Sequence, residues 1–187
     1  DDDRLADYHR RGLNVAATPK ITGFARETEL YESAIASANR LAPEFVVTCG
    51  DMINDADQHA QFEELTRITG KLDDSIPMHW VPGNHDVGNV VTTESLAEYR
   101  ARFGRDDYFF DHAGSRMVVL NSNIAVDPSL VPNEWQRQRA FAEHAIGEAR
   151  AQGADHILVF THYPLFLHDA EEEDSSIIVP RERRRIL

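Results

Sequence analysis

Cysteine is nearly missing from this sequence: 187 residues carry only one, so no intrachain disulfide can form and stability has to come from a packed core. That scarcity favours a cytoplasmic setting over a disulfide-stapled secreted fold. No apolar run approaches the roughly 20 residues that cross a bilayer, which argues against a membrane partner. Positive charge is scarce as well. Lys and Arg total 19 against 32 Asp and Glu, a formal charge of −13. A phosphate backbone needs a basic field to bind, so nucleic acid is excluded as a general partner. Any phosphate that so acidic a chain handles needs positive charge supplied locally, as by a metal ion. There is no initiator Met either. The chain opens on DDDRLADYHRR with no signal peptide in view, so its start reads as missing and an upstream signal stays open. Internal repeats, low-complexity linkers and shifts of composition are absent too, which leaves one domain over 1–187.

What is present supports a globular reading: 42% hydrophobic residues, with two Trp and nine Phe, are enough for a sizeable core. Leu30, Ala34, Ile35 and Leu41 recur at helical spacing over 26–41, and FVVTC (45–49) then reads as a fully buried strand. Phe62, Leu65, Ile68 and Leu72 share one face over 55–72, before a second strand in IPMHWVPG. A third helix is expected over 92–104, with Thr and Ser as cap candidates and Gly104 as its stop. YFFDHAG and SRMVVLNS follow as strands joined by an Ala-Gly-Ser turn that suits a hairpin. A long amphipathic helix over 133–153 leads into HILVFTHYP, and Pro180 stands where a last helical turn would begin. Helices alternating with buried strands imply an α/β fold, a largely parallel sheet covered by helices on both faces. Ligands of such sheets sit beyond the carboxyl ends of the strands.

That is where the chemistry gathers. FVVTCGDMIND ends in Gly50-Asp51, MHWVPGNHDVGN in Gly83-Asn84-His85-Asp86, and VFTHYP in Thr161-His162. One carboxylate, one amide oxygen and two imidazoles come from three strand ends, an oxygen and nitrogen set suited to Mn, Fe, Zn or a similar divalent ion. A glycine before each of the first two clusters lets the backbone turn sharply.

CGDMIND, VPGNHDVGN and VFTHYPLF resemble successive motifs of the calcineurin-like metallophosphoesterases, and RFGRDDYFF, VVLNS and HYPLFLHDAEEED are similar to the CPPED-type branch. The resemblance runs from about Glu27 to the end. It implies an α/β/β/α sandwich, incomplete at both ends, and two divalent metal ions in a complete chain. Asp51 would be the carboxylate bridging them, with Asn84 and His162 on the second ion. His85 would meet the phosphate and help protonate the leaving oxygen, with Asp86 holding its ring. The implied reaction is hydrolysis of phosphate monoesters by a metal-bound hydroxide, with protein phosphoserine or phosphothreonine as the phosphorylated substrate. A phosphodiesterase or nucleotidase of the same fold is one alternative, and a non-catalytic binding module that has lost its metals is another.

The sequence departs from the family at both ends. The first motif, Asp-x-His or Asp-x-Gln, is not clear in LNVAATPKITGF, where Thr18 and Lys20 would stand in place of ligands. Residues 1–26 are therefore expected to form an irregular segment. The Gly-His-x-His strand would lie beyond Leu187. Blander readings hold elsewhere. Cys49 reads as a small core hydrophobe, Asn54 and Asp55 as a helix cap, and Trp80 and Trp135 as core. His79, His112 and His156 read as structural or surface groups. His168 with DAEEED reads as a solvated acidic loop, and RERRR as a solvated helix face.

Overall fold

The computed structural model describes residues 2–16 and 23–185. Helix α1 (Asp2–Arg10) is followed by α2 (Ala25–Leu41), β1 (Val46–Thr48), α3 (His59–Thr69), β2 (Met78–Trp80), the single turn α4 (Asn84–Val87) and α5 (Thr93–Phe103). Then come β3 (Tyr108–His112), β4 (Ser115–Val119), α6 (Ser122–Val126), α7 (Pro132–Ala151), β5 (His156–Phe160) and α8 (Arg181–Arg184). The α/β class and the alternation of helix and strand are as expected. No helix among the described residues is long and apolar enough to cross a membrane.

The strands form two small sheets rather than one continuous one. β1 and β2 pair in parallel with Val46 opposite Met78 and Thr48 opposite Trp80. β4 is central in the other sheet, antiparallel to β3 and parallel to β5. The β3–β4 link is the expected hairpin. Its two loop residues, Ala113 and Gly114, have φ of 46° and 79°, the pair of positive values that a right-twisted two-residue turn requires. Aromatic rings tie the sheets together: His79 stacks on Phe110 with centroids 3.6 Å apart, Phe45 meets Phe110 edge-on at 5.2 Å, and the Tyr108 hydroxyl donates to the Trp80 carbonyl.

Three apolar clusters make the core. Ile35 of α2, Ile68 of α3, Leu72 and Ile76 pack beside β1 and β2. Val118 and Leu120 meet Ala142 and Ala145 of α7. Leu96 and Tyr99 of α5 pack with Val87, Val91, Ile124 and Val131. The stripe over 55–72 is buried as expected at Leu65, Ile68 and Leu72, but in α2 only Ile35 is buried while Leu30, Ala34 and Leu41 are exposed, and full cover of both sheet faces does not hold. β1 is half-buried instead of fully buried, and Leu158 and Val159 of β5 are exposed.

Three further expectations are corrected. The segment 1–26 contains a helix, α1, where irregular chain was expected; Thr18 and Lys20 lie outside the described residues. Cys49 is exposed rather than a core hydrophobe, because the chain is already turning out of β1 toward Gly50. The RERRR run is a solvated face only in part, with Glu182 and Arg185 exposed. Arg184 is buried and donates to the carbonyls of Ala170, Val179 and Glu172, while Glu171 pairs with Arg181 and Arg185. Two of the three carbonyl oxygens that Arg184 meets, those of Ala170 and Glu172, belong to the acidic loop, which wraps a guanidinium that needs several acceptors once out of water. Arg11, just past α1, reaches the same loop through Glu172 at 3.6 Å.

Candidate metal and phosphate site

β1 and β2 are level at their carboxyl ends, and the Val81 N–H continues their ladder to the Thr48 carbonyl. The two glycine loops that follow therefore emerge side by side. Gly50 has φ of 93° and Asp51 has φ of 54°, a left-handed pair that reverses the chain within two residues; Asp is among the few side chains that tolerate this region. Contact between the loops is close. A methyl group on Gly83 would stand 2.1 Å from the Asp51 nitrogen, and one on Gly50 would stand 2.5 Å from His162 Nδ1.

Asp86 fastens the loops. Its buried carboxylate accepts N–H bonds from Asp51 (2.8 Å), Ile53 (3.2 Å) and Gly83 (2.8 Å). Burial pushes its carboxyl up to about 6, with the nearby Asp51 charge acting in the same direction and the N–H bonds opposing. The expected contact of Asp86 with the His85 ring is not what forms. Three backbone N–H groups claim its oxygens, and His85 Nδ1 instead lies 2.7 Å from the Asn54 carbonyl. A carbonyl only accepts, so His85 carries its hydrogen on Nδ1 and presents Nε2 outward. Asn54 thus serves through its backbone, and Gln58 rather than Asn54 or Asp55 stands at the N-cap position of α3, with no side-chain cap bond.

Asp51, Asn84 and His162 come together. His162 Nε2 lies 3.0 Å from Asn84 Oδ1 and 3.4 Å from Asp51 Oδ1. His162 Nδ1 lies 2.8 Å from the Cys49 carbonyl and must donate there, which leaves a lone pair on Nε2 in the neutral ring. That lone pair faces two oxygen acceptors. An arrangement of acceptors with no hydrogen between them is unfavourable unless a cation sits among them. The spacing is also that of neighbouring ligands around one ion, since bonds of about 2.0–2.2 Å put adjacent donors roughly 3 Å apart. An imidazole whose far nitrogen is held by a carbonyl is the usual state of a metal-ligating histidine. The donors therefore fit one divalent ion. A second ion finds Asp51 but no further cluster: among the described residues, no group of three or more His, Cys, Asp or Glu side chains is arranged to hold a metal.

Three contributors escaped the sequence reading. The Cys49 and Asn54 carbonyls set the two imidazoles, and main-chain acceptors leave no mark on residue type. Asn89 accepts from Asn84 Nδ2 at 2.8 Å; its place just past Gly88, a residue of positive φ, is the signal that was available.

Residues 5–183 match the family model of the calcineurin-like phosphoesterases. The chain is 36% identical over 155 residues to the human serine/threonine-protein phosphatase CPPED1, covering 80% of this chain and 49% of that protein. It is 31% identical over 167 residues to the zebrafish CPPED1, covering 86% and 54%. The chain thus spans about half the length of the curated relatives it matches. Among solved structures it superposes on a purple acid phosphatase from yellow lupin seeds with a TM-score of 0.61, at 15% identity, over 83% of this chain and 30% of that one. It also superposes on a dimetal phosphatase from Danio rerio with a TM-score of 0.57, at 16% identity, over 85% and 65%. By motif, fold and relatives alike, this chain belongs to the calcineurin-like phosphoesterase family, in its CPPED-type branch.

Proposed function

We propose that this chain carries the site of a metal-dependent phosphoesterase acting on phosphate monoesters, with protein phosphoserine and phosphothreonine as the substrate class. The observation that carries the reading is the approach of His162 Nε2 to Asn84 Oδ1 at 3.0 Å and to Asp51 Oδ1 at 3.4 Å, three acceptors suited to a cation in a chain whose net charge is −13. The serine/threonine-phosphatase names of relatives in the same branch support the substrate class. A complete site of this type would hold two divalent ions, Mn, Fe or Zn. When bound, they would supply Lewis acidity toward the phosphoryl oxygens and activate water.

The chain's own groups do the rest. Asp51, Asn84 and His162 would hold a cation, whose charge would offset the acidity of the chain toward an anionic ester. His85 stands beside them, its backbone N–H on Asp51 Oδ1 and its Nδ1 anchored on the Asn54 carbonyl. In the protonated ring, Nε2–H is free to donate to a phosphoryl oxygen or to pass its proton to the leaving oxygen. Asp86 touches no substrate; by clamping Gly83 and Asp51 it keeps the amide and the carboxylate in register.

Hydrolysis of p-nitrophenyl phosphate in manganese tests the reading. Asp51→Ala is expected to lower the rate at least about 100-fold, and His85→Ala to slow esters of poor leaving groups more than the aryl ester. Unchanged hydrolysis by Asp51→Ala overturns the site. A rate on bis-p-nitrophenyl phosphate above that on the monoester would move the assignment to a phosphodiesterase.

A further inference from the structure

We infer that Asn89 is a positioning residue for the cation site: its side-chain oxygen holds the Asn84 amide so that the amide oxygen faces Asp51 and His162. The inference rests on the metal-site reading above. It begins with the amide itself, whose oxygen and NH2 have nearly the same shape and exchange places by a half-turn of the side chain.

In the neutral state of His162 both groups facing Asn84 are acceptors. The Nε2 lone pair lies 3.0 Å from Asn84 Oδ1, and Asp51 Oδ1 lies beside it, 3.4 Å from Nε2. Without a cation, a half-turned Asn84 would point its NH2 at the Nε2 lone pair and gain a hydrogen bond. The site's own electrostatics thus favour the orientation that cannot bind a metal, because an NH2 is not a ligand. A contact on the far side of the amide opposes a turn of Asn84 alone: Asn84 Nδ2 donates to Asn89 Oδ1 at 2.8 Å, and the turned amide would set oxygen against oxygen unless Asn89 turned with it. Asn84 itself is buried.

Local backbone makes the contact possible. α4 is a single turn ended by Gly88, whose φ of 83° and ψ of 147° fold the next residue back over the turn. Asn89 is exposed, so removing its side chain opens no core cavity, and its effect has to come through the hydrogen bond.

The test compares the native chain with Asn89→Ala and Asn89→Asp. Aspartate keeps the acceptor and, once ionised, has no NH2 to offer, so it cannot support the turned amide. Manganese affinity by titration calorimetry is expected to fall about 10- to 100-fold in Asn89→Ala and to be restored in Asn89→Asp, with thermal midpoints alike in all three. In the ion-free protein, nuclear Overhauser contacts of the Asn84 side-chain amide protons are expected to Asn89 in the native chain, and to the His162 Hε1 proton in Asn89→Ala. Undiminished affinity in Asn89→Ala overturns the inference and leaves the metal site standing. A native chain that binds no manganese overturns the metal-site reading instead. The inference then falls with it, and the amide contacts report only which way Asn84 is turned.

Discussion

Gly83 has an ordinary φ of −95°, so its backbone does not demand glycine; space does. A Cβ there would lie 2.3 Å from Asp51 Oδ1 and 2.9 Å from Asp86 Oδ2, besides striking the Asp51 nitrogen. Gly83→Ala has to push the two site loops apart. The expected outcome is a loss of roughly 1–3 kcal/mol in unfolding free energy together with loss of manganese binding. Gly147 is the contrast. It sits exposed in α7 with nothing within 4 Å of its would-be Cβ, so Gly147→Ala should raise stability by about 0.5–1 kcal/mol through helix propensity. Urea unfolding of both variants checks the pair, and a Gly83→Ala chain as stable as native would mean that the loops are not interlocked.

At the scale of elements, charge fastens the hairpin to α7. Arg116 of β4 is buried and forks onto both oxygens of Asp111 in β3, at 2.7 and 2.8 Å, while its remaining nitrogen donates to Glu148 of α7 at 2.8 Å. Its guanidinium also lies 3.9 Å over the Phe109 ring. Hydrogen bonds from Arg116 hold the Asp111 carboxyl below its ordinary value of 3.8. A carboxyl that is more acidic folded than unfolded stabilises fully above the unfolded value, and that contribution fades as pH falls through the folded one. The stability gap between native and Asp111→Asn should therefore be steady near neutrality and close below about 3.8. Denaturant midpoints across that range check it, and a gap indifferent to pH would assign the contact to shape rather than charge.

For the whole molecule, cation binding and folding are linked because the donors meet only in the folded chain. Asp51, Asn84 and His162 follow three different strands, so an unfolded chain offers no such site. At about 100 times the dissociation constant, a bound ion adds roughly 2.7 kcal/mol, a rise of about 5–10 °C in the melting midpoint for a chain of this size. Manganese should raise the midpoint and a chelator should reverse it. The increment should vanish in Asp51→Ala, which scanning calorimetry reads directly.

Much of this was legible before folding was considered. Helical stripes such as Leu65 and Ile68, the Ala-Gly turn and the run of chemistry after each strand are local patterns, set by a period of 3.6 or 2 or by the φ a residue tolerates. They located Asp51, Asn84, His85, Asp86 and His162 and placed the chain in its family. The division into two sheets, the burial of Arg184 and the exposure of Cys49 were not legible, because local pattern does not say which face another element will cover. The duties within the site belong to the same class. Asp86 clamps a loop 35 positions away, and His162 takes its tautomer from a carbonyl 113 positions distant. Residue identity by itself determined which groups could bind a cation and roughly where along the chain they stand. Only the tertiary structure decided which atoms face one another, because a hydrogen bond depends on distance and direction between partners that the sequence keeps apart.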